Sequence, residues 1–302
     1  MGGVSGPELV AAVANAGGLG ILPIWASPPD TALQSIAKTQ ALTNYPFAVN
    51  LRADFVQTEH ISAAVDAGVS LFNLFWGDPA ASMPAINTGG ARLISTIGDG
   101  DTAKRALDVG AAALIAQGVE AGGHVAGEME LEALLDVVLP IAGDIPVIAA
   151  GGLATPQDVA HVLSLGASGA LFGTRFAATE ESNAHDVYKQ ALIRAEEGST
   201  VRTMCFDGMW PNAPHRVLKN STFEDWEAAG RPPQGQRPGE DDIILHTPDG
   251  MTFQRYFVAP PGRHMTGDLE AAAMYAGTGV SKITNCPSAA EVMGDLVSQL
   301  VS

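Results

Sequence analysis

The chain has few cysteines, few cations and few aromatics, and each shortage removes a class of protein. Its two cysteines, Cys205 and Cys286, form no Cys-x-x-Cys pair. A disulfide framework, a zinc ribbon and a dithiol redox centre are therefore excluded, and both thiols are expected to pack as small apolar groups. Lys and Arg number 16 against 33 Asp and Glu, a formal net charge of −17. Such a balance repels a phosphate backbone or an anionic lipid surface, so neither nucleic acid nor membrane is an expected partner. No apolar run is long enough to span a bilayer. The apolar start has no basic residue before it and is broken by Gly17, Gly18, Gly20 and Pro23, which fits neither a signal peptide nor a spanning helix. Gly6 stands where a myristoylation signal needs Ser or Thr. A soluble, cytoplasmic protein is the expectation, with a homo-oligomer left open.

What the chain does have is apolar residues (46%), 34 glycines and an internal repeat. The segments AAVANAGGLGILPI (11–24), AAVDAGVSLFNLFW (63–76), RALDVGAAALIAQG (105–118) and HVLSLGASGALFGT (161–174) share one pattern. An Ala-rich helical end meets a glycine, and a continuous apolar run follows. Glycine suits the left-handed residue that closes a helix, and an unbroken apolar run suits a strand buried on both faces. Repeated helix–glycine–strand units mean parallel βα architecture. Strands are predicted near 19–24, 46–51, 69–75, 91–97, 112–117, 145–150 and 169–174. A doubly wound sheet could hold these seven, but the length favours a (β/α)8 TIM barrel lacking one strand. Residues 1–198 and 266–302 are assigned to the barrel and its closing helices, with helices near 184–197, 266–277 and 288–301. The aperiodic stretch 199–265 is read as an insertion forming a lid or small helical subdomain, with a hairpin turn at the Pro-Asp-Gly of 248–250.

Barrel enzymes carry their chemistry where strands end, which singles out three places. Gly151 and Gly152 precede Thr155 and Pro156, a helix-start pair, and Gly173 and Thr174 follow the last apolar run. Bare backbone amides beside helix starts suit a phosphate, although tight turns alone need the same glycines. The third place is AQGVEAGGHVAG (116–127), four glycines around Glu120 and His124. Such a loop can press its backbone on a flat ligand, and a histidine there suits acid–base work near neutrality. Glu120 could orient that histidine or simply be solvated. The other six histidines show no metal-ligand spacing and receive no role. The Ala-Gly-Gly-Leu-Gly of 16–20 runs from helix into strand, the wrong order for a dinucleotide fingerprint, and Ser5 lies in no nucleophile elbow.

Taken together, MGGVSGPELVAAVANAGGLG (1–20), FAVNL (47–51), AQGVEAGGH (116–124), IPVIAAGGLATPQDVAHVLSLGASGALFGTRF (145–176) and TGDLEAAAMYAGTGV (266–280) resemble the nitronate monooxygenase, or 2-nitropropane dioxygenase, family. The resemblance runs almost end to end and implies a (β/α)8 barrel holding one FMN. It implies that the phosphate lies at Gly151, Gly152, Gly173 and Thr174, that Asn50 and Gln117 hydrogen-bond the ring system, and that the amides of Gly122 and Gly123 lie near it. His124 matches the catalytic histidine, and Tyr275 would lie on the substrate side. Family members carry ten to twenty further residues that form a first strand ending in a methionine against the flavin; here that methionine falls on Met1. The activity implied is oxidation of nitronates or nitroalkanes by oxygen to a carbonyl compound and nitrite. Two alternatives share the motifs: an FMN-dependent NAD(P)H oxidoreductase, of the enoyl-acyl-carrier-protein reductase or quinone reductase kind, and a barrel without catalysis. The partners implied are a small-molecule substrate and oxygen.

Overall fold

The computed structural model describes residues 1–55 and 57–298. Seven parallel strands form one sheet, and they pair in chain order: β1 (Ile21–Pro23), β2 (Ala48–Ala53), β3 (Leu71–Gly77), β4 (Arg92–Ile97), β5 (Ala113–Gln117), β6 (Val147–Ala150) and β7 (Gly169–Leu171). Each lies on a predicted apolar run. A doubly wound sheet reverses its strand order at a switch point, and this one does not, so the architecture is that of a barrel wound in one direction. Helix α1 (Pro7–Asn15) precedes β1, and α2 (Pro29–Leu42), α3 (Thr58–Asp66), α4 (Met83–Thr88), α5 (Gly100–Asp108), α6 (Leu131–Ala142) and α7 (Pro156–Ser164) occupy the connections.

The repeated glycines close helices as their spacing requires. Gly17, Gly68, Gly110 and Gly166 have φ of +88°, +83°, +87° and +99°. Each donates to the carbonyl three residues back, and its successor donates five back, as in Val69 N–H to Ala64 O at 2.9 Å. Left-handed backbone at a helix end is what glycine supplies there.

Alternation along the strands separates two faces. Val49, Leu51, Phe72, Leu74, Leu93, Leu114 and Val147 point outward and pack on Ile36, Ile61, Ile86, Leu134 and Val138 of the helices. The inner face carries Ile94, Ile115 and Ala150 beside a polar row. In that row Asn50 Nδ2 donates to Asn73 Oδ1 at 2.8 Å, and Asn73 Nδ2 donates to Thr96 Oγ1 at 3.0 Å. Strands β1 and β7 do not pair with each other among the described residues. A turn at residues 1–5 touches both strands, at the first residue of β1 and just past the end of β7. Met1 O accepts from the amides of Val4 and Ser5, Ser5 Oγ donates to Ile21 O at 3.0 Å, and Met1 Sδ lies 3.4 Å from where a Cβ on Gly173 would sit.

After β7, a single-turn helix α8 (Thr174–Ala177) and α9 (Asp186–Arg194) lead into segment 199–265, a largely irregular stretch whose regular elements are four short antiparallel strands and one helix. Strands β8 (Thr200–Thr203) and β9 (His215–Leu218) form a sheet with Gly123 and His124 of the glycine loop. After α10 (Ser221–Ala228), β10 (Ile243–His246) and β11 (Thr252–Gln254) form a hairpin whose turn is the predicted Pro-Asp-Gly. No helix forms over 266–277. That stretch contains a short strand at Thr266–Gly267, a 3-10 turn at Leu269–Ala271 and an extended run in which Leu218 N donates to Met274 O. Ala271, Ala272, Ala273, Met274 and Ala276 are all buried, so the run has no polar face to give a surface helix. The closing helix α11 covers Ala289–Val297; the predicted continuation beyond 298 lies outside the described residues. No helix among the described residues is long and apolar enough to cross a membrane.

Tyr188 of α9, wholly buried, ties this run to the barrel by donating its hydroxyl to Tyr275 O at 2.5 Å. Tyr188→Phe leaves that carbonyl without its partner and is expected to cost about 1–3 kcal/mol, read as a lower urea midpoint at unchanged m-value.

Candidate active site

The sequence-derived candidates gather at the C-terminal ends of the strands. From Gln117, at the end of β5, the chain turns through the glycine loop. Gly118 N donates to Ala150 O, Val119 N to Met129 O, and Gln117 Nε2 to His124 O at 3.2 Å. Arg216 of β9 holds the loop by two bonds to Val119 O, at 2.9 and 2.8 Å. Glu120 neither faces His124 nor stands free in solvent. Its carboxylate accepts the amide of Leu131 at 3.0 and 3.1 Å, at the start of α6. Gly122 is pressed on the chain behind it: a Cβ there would lie 2.6 Å from Ala276 C and Gly277 N. Gly123, at φ +84°, has open space where its side chain would be, so it is the glycine of the pair free to meet a ligand.

His124 lies among aromatic rings. Trp210 stacks on it at 4.0 Å between centroids with 16° between planes; His215 is 5.2 Å away, Tyr275 5.6 Å and Trp76 6.3 Å edge-on. The Nε2 of His124 is buried and has no hydrogen-bond partner. Burial, then His215, then the Arg52 guanidinium push its pKa down to about 2, so the resting imidazole is neutral. His215 is also neutral, lowered to about 4 chiefly by burial. Phe206 N donates to its Nε2 at 3.2 Å, which leaves the proton on Nδ1 for Ala213 O at 2.9 Å. Tyr275 flanks His124 with its ring but commits its hydroxyl to Val258 O at 2.8 Å.

Arg52, buried at the end of β2, stacks its guanidinium 3.4 Å from the Trp210 centroid and pairs with Asp54. Trp76 sits at φ +62° in a bulge of β3, where Arg52 faces Phe75 but Ala53 faces Gly77. Both features aim large side chains over the sheet end.

Lower in the sheet, Asn50 and Gln117 point into the interior, Asn50 bound to Asn73 as described. Gly151 and Gly152 form a turn with φ of +126° and +69°. Gly173 caps α8, and Thr174 Oγ1 accepts the amide of Gly277 at 3.0 Å. Thr155 does cap α7, but that helix start is already occupied by its own anion. Asp158 takes the amides of Ala154 and Thr155 at 2.9 Å and the ammonium of Lys282 at 2.7 Å. The first-turn amides of α8 have no partner within that helix. Cys205 is fully buried and its thiol is pushed up to about 12, an inert core group.

Sequence reasoning missed Arg52, Asn73, Trp76, Trp210 and His215. Arg52 and Asn73 carried a signal, since Arg52 shares a strand face with Asn50 at a spacing of two and Asn73 interrupts an apolar strand. Trp210 and His215 lie in the aperiodic segment, where no periodicity pointed to them.

The family model for nitronate monooxygenase matches residues 1–299. Over 235 residues the chain is 37% identical to (3aS,4S,5R,7aS)-5-hydroxy-7a-methyl-1-oxo-octahydro-1H-indene-4-carboxyl-CoA dehydrogenase of Mycobacterium tuberculosis, a match covering 76% of this chain but only 64% of that relative's length. It is 29% identical to a nitronate monooxygenase of Pseudomonas aeruginosa, over 99% of this chain and 93% of the relative. The solved structure of FabK from Thermotoga maritima superposes with a TM-score of 0.81 at 27% identity, covering 100% of this chain and 90% of that one.

Two imidazoles kept neutral by burial make stability depend on pH. In the unfolded chain both take up protons below about 6.5, whereas the folded chain resists until about 4 for His215 and about 2 for His124. The unfolded state then binds more protons, so stability falls as pH falls through this window. Urea unfolding at pH 5 is expected to give roughly 2–4 kcal/mol less than at pH 7.5, at about 1.4 kcal/mol per proton per pH unit. Equal stabilities would mean that the folded protein accepts these protons.

Proposed function

The chain belongs to the nitronate monooxygenase family, and from this we propose that it binds FMN at the strand ends and oxidises nitronates or nitroalkanes with oxygen, releasing a carbonyl compound and nitrite. The observation that carries the reading is the His124 imidazole: neutral, buried, and with Nε2 unpartnered at the C-terminal ends of the strands.

The residues present suit the cofactor. Gly151 and Gly152 offer a turn without side chains beside the α8 start at Gly173 and Thr174, and this would hold the phosphate. Asn50 and Gln117 carry the amides to hydrogen-bond the ring system, Gly123 leaves open space for it, and the Met1 thioether lies against Gly173. The amide of Gly122 would contribute from its packed position behind the loop. FMN, when bound, supplies the electron acceptor for the substrate.

The protein's part is to hold the substrate and handle its proton. His124, neutral at rest, would take the acidic carbon proton of a nitroalkane through Nε2, with the nitronate anion left beside it offsetting the burial that otherwise disfavours the imidazolium. A nitronate supplied as the anion needs no such step; the same nitrogen, carrying its proton, would donate to a nitronate oxygen. The rings of Trp76, Trp210 and Tyr275 exclude water from this exchange, and Tyr275 contributes a substrate-side wall. Substrate and oxygen are the partners of this reading, and a cytoplasmic enzyme is its setting.

The likeness to FabK over the whole chain favours a second reading, reduction by NADH or NADPH of the same bound flavin. Under anaerobic conditions, bleaching of the flavin by nitronates alone would support the first reading, and rapid bleaching by a nicotinamide the second.

His124→Ala is expected to retain added FMN after desalting, seen as bands near ~370 and ~450 nm, while nitrite release falls by about 10²-fold or more. Unchanged turnover would remove His124 from the mechanism.

A further inference from the structure

Two buried nitrogens in the aromatic cluster lack any partner: Nε2 of His124 and Nε1 of Trp210. Trp210 is 6% exposed, so no solvent shell stands in for the missing acceptor. A buried indole N–H left without an acceptor is destabilising, and its companion lies in the stacked ring 4.0 Å away. The protein has also spent backbone strain to put it there. Met209 and Asn212, on either side of Trp210, hold φ of +74° and +58°. Arg52 presses on the indole, Asp207 O accepts the Trp210 amide at 2.9 Å, and Asp207 itself is tied to Arg237.

We propose that Trp210 Nε1 and His124 Nε2 together hold the two oxygens of one planar oxyanion of the nitronate or carboxylate class, making Trp210 a substrate-binding residue contributed by segment 199–265. The two nitrogens belong to rings stacked with their centres 4.0 Å apart, and hydrogen bonds of about 2.9 Å from each would take the two oxygens of one O–N–O or O–C–O unit. The indole N–H is a donor only, so the atom it faces must be an acceptor. His124 donates to the second oxygen when Nε2 carries the proton. Arg52 acts as a positioning residue, since its guanidinium lies against the indole and its charge is paired with Asp54. The proposal rests on the reading of this site as a nitronate site, and it gives that site a second donor besides His124.

Trp210→Phe keeps an aromatic ring between Arg52 and His124 and deletes the N–H. With ethylnitronate as substrate, KM is expected to rise ten- to a hundredfold while kcat changes less than about threefold, the pattern of a lost ground-state contact to an anion. The second measurement needs no turnover. The chain has four tryptophans, so the indole N–H region of a ¹H–¹⁵N spectrum holds four resonances, and the one missing from W210F is Trp210. Propionate, which matches nitroethane in shape and cannot be oxidised in this way, is expected to move that resonance saturably, whereas equal chloride is not. An unmoved resonance, or a W210F enzyme with unaltered KM, would overturn the proposal. A wild-type protein that releases no nitrite yet shows the saturable shift would overturn the nitronate reading while keeping the oxyanion site.

Discussion

The close contact of Gly122 with the backbone of residues 276 and 277 is the constraint on which the site depends. A methyl group at Gly122 would sit 2.6 Å from that backbone, and one at Gly277 would sit 2.8 Å from Glu120 O. Because neither carries a side chain, the glycine loop and the C-terminal run close on each other. Thr278 N then reaches Glu120 O, and Gly277 N reaches Thr174 Oγ1 at the start of α8. The same run pairs with β9 along the edge that also pairs with His124. One backbone contact thus sets the distance between parts of the chain more than a hundred residues apart. Separate them by the width of a methyl group, and Tyr275, His215 and Trp210 all move relative to His124.

The electrostatics follow from that closure. Burial keeps the His124 imidazole neutral, and the charges nearby reinforce this, the Arg52 guanidinium lowering its pKa further. Arg52 stands on the far side of the indole and discharges onto Asp54. Glu120, the loop's own carboxylate, is turned away to cap α6, which keeps it from raising the pKa of His124. His215, locked as a neutral tautomer by two backbone groups, fills space without bringing charge. A neutral histidine facing an acidic carbon can accept a proton, whereas a histidine paired with a carboxylate would have entered the reaction already charged.

The sheet was legible because its signals are local. Each unit carries a left-handed glycine and a short apolar run, and both are set by backbone sterics and burial within about a dozen residues. The strand-end glycines and His124 were legible for the same reason, since they lie where such units change from strand to loop. The helix expected over 266–277 failed because an Ala-rich string has high helical propensity, and tertiary burial on every side overrode it. Trp210 and His215 were not legible at all. Their relation to His124 comes from antiparallel pairing between residues ninety positions apart, with loop residues at positive φ in place of the glycines that usually mark such turns.

Those residues show how the rim differs from the sheet beneath it. Trp76, Met209 and Asn212, three of the non-glycine residues at positive φ among those described, lie in or beside the cluster around His124. Each such conformation costs on the order of 1 kcal/mol or more and persists only where surrounding contacts over-determine it. The contacts are present: the bulge in β3 fixes Trp76, and the Arg237 pair with Asp207 and Glu240 braces the Trp210 loop. The regular sheet supplies the stability, and its rim spends part of it on aiming two indoles at one imidazole. Packing alone would not require that arrangement, because an apolar ring without an N–H fills the same space without leaving a buried donor unpaired.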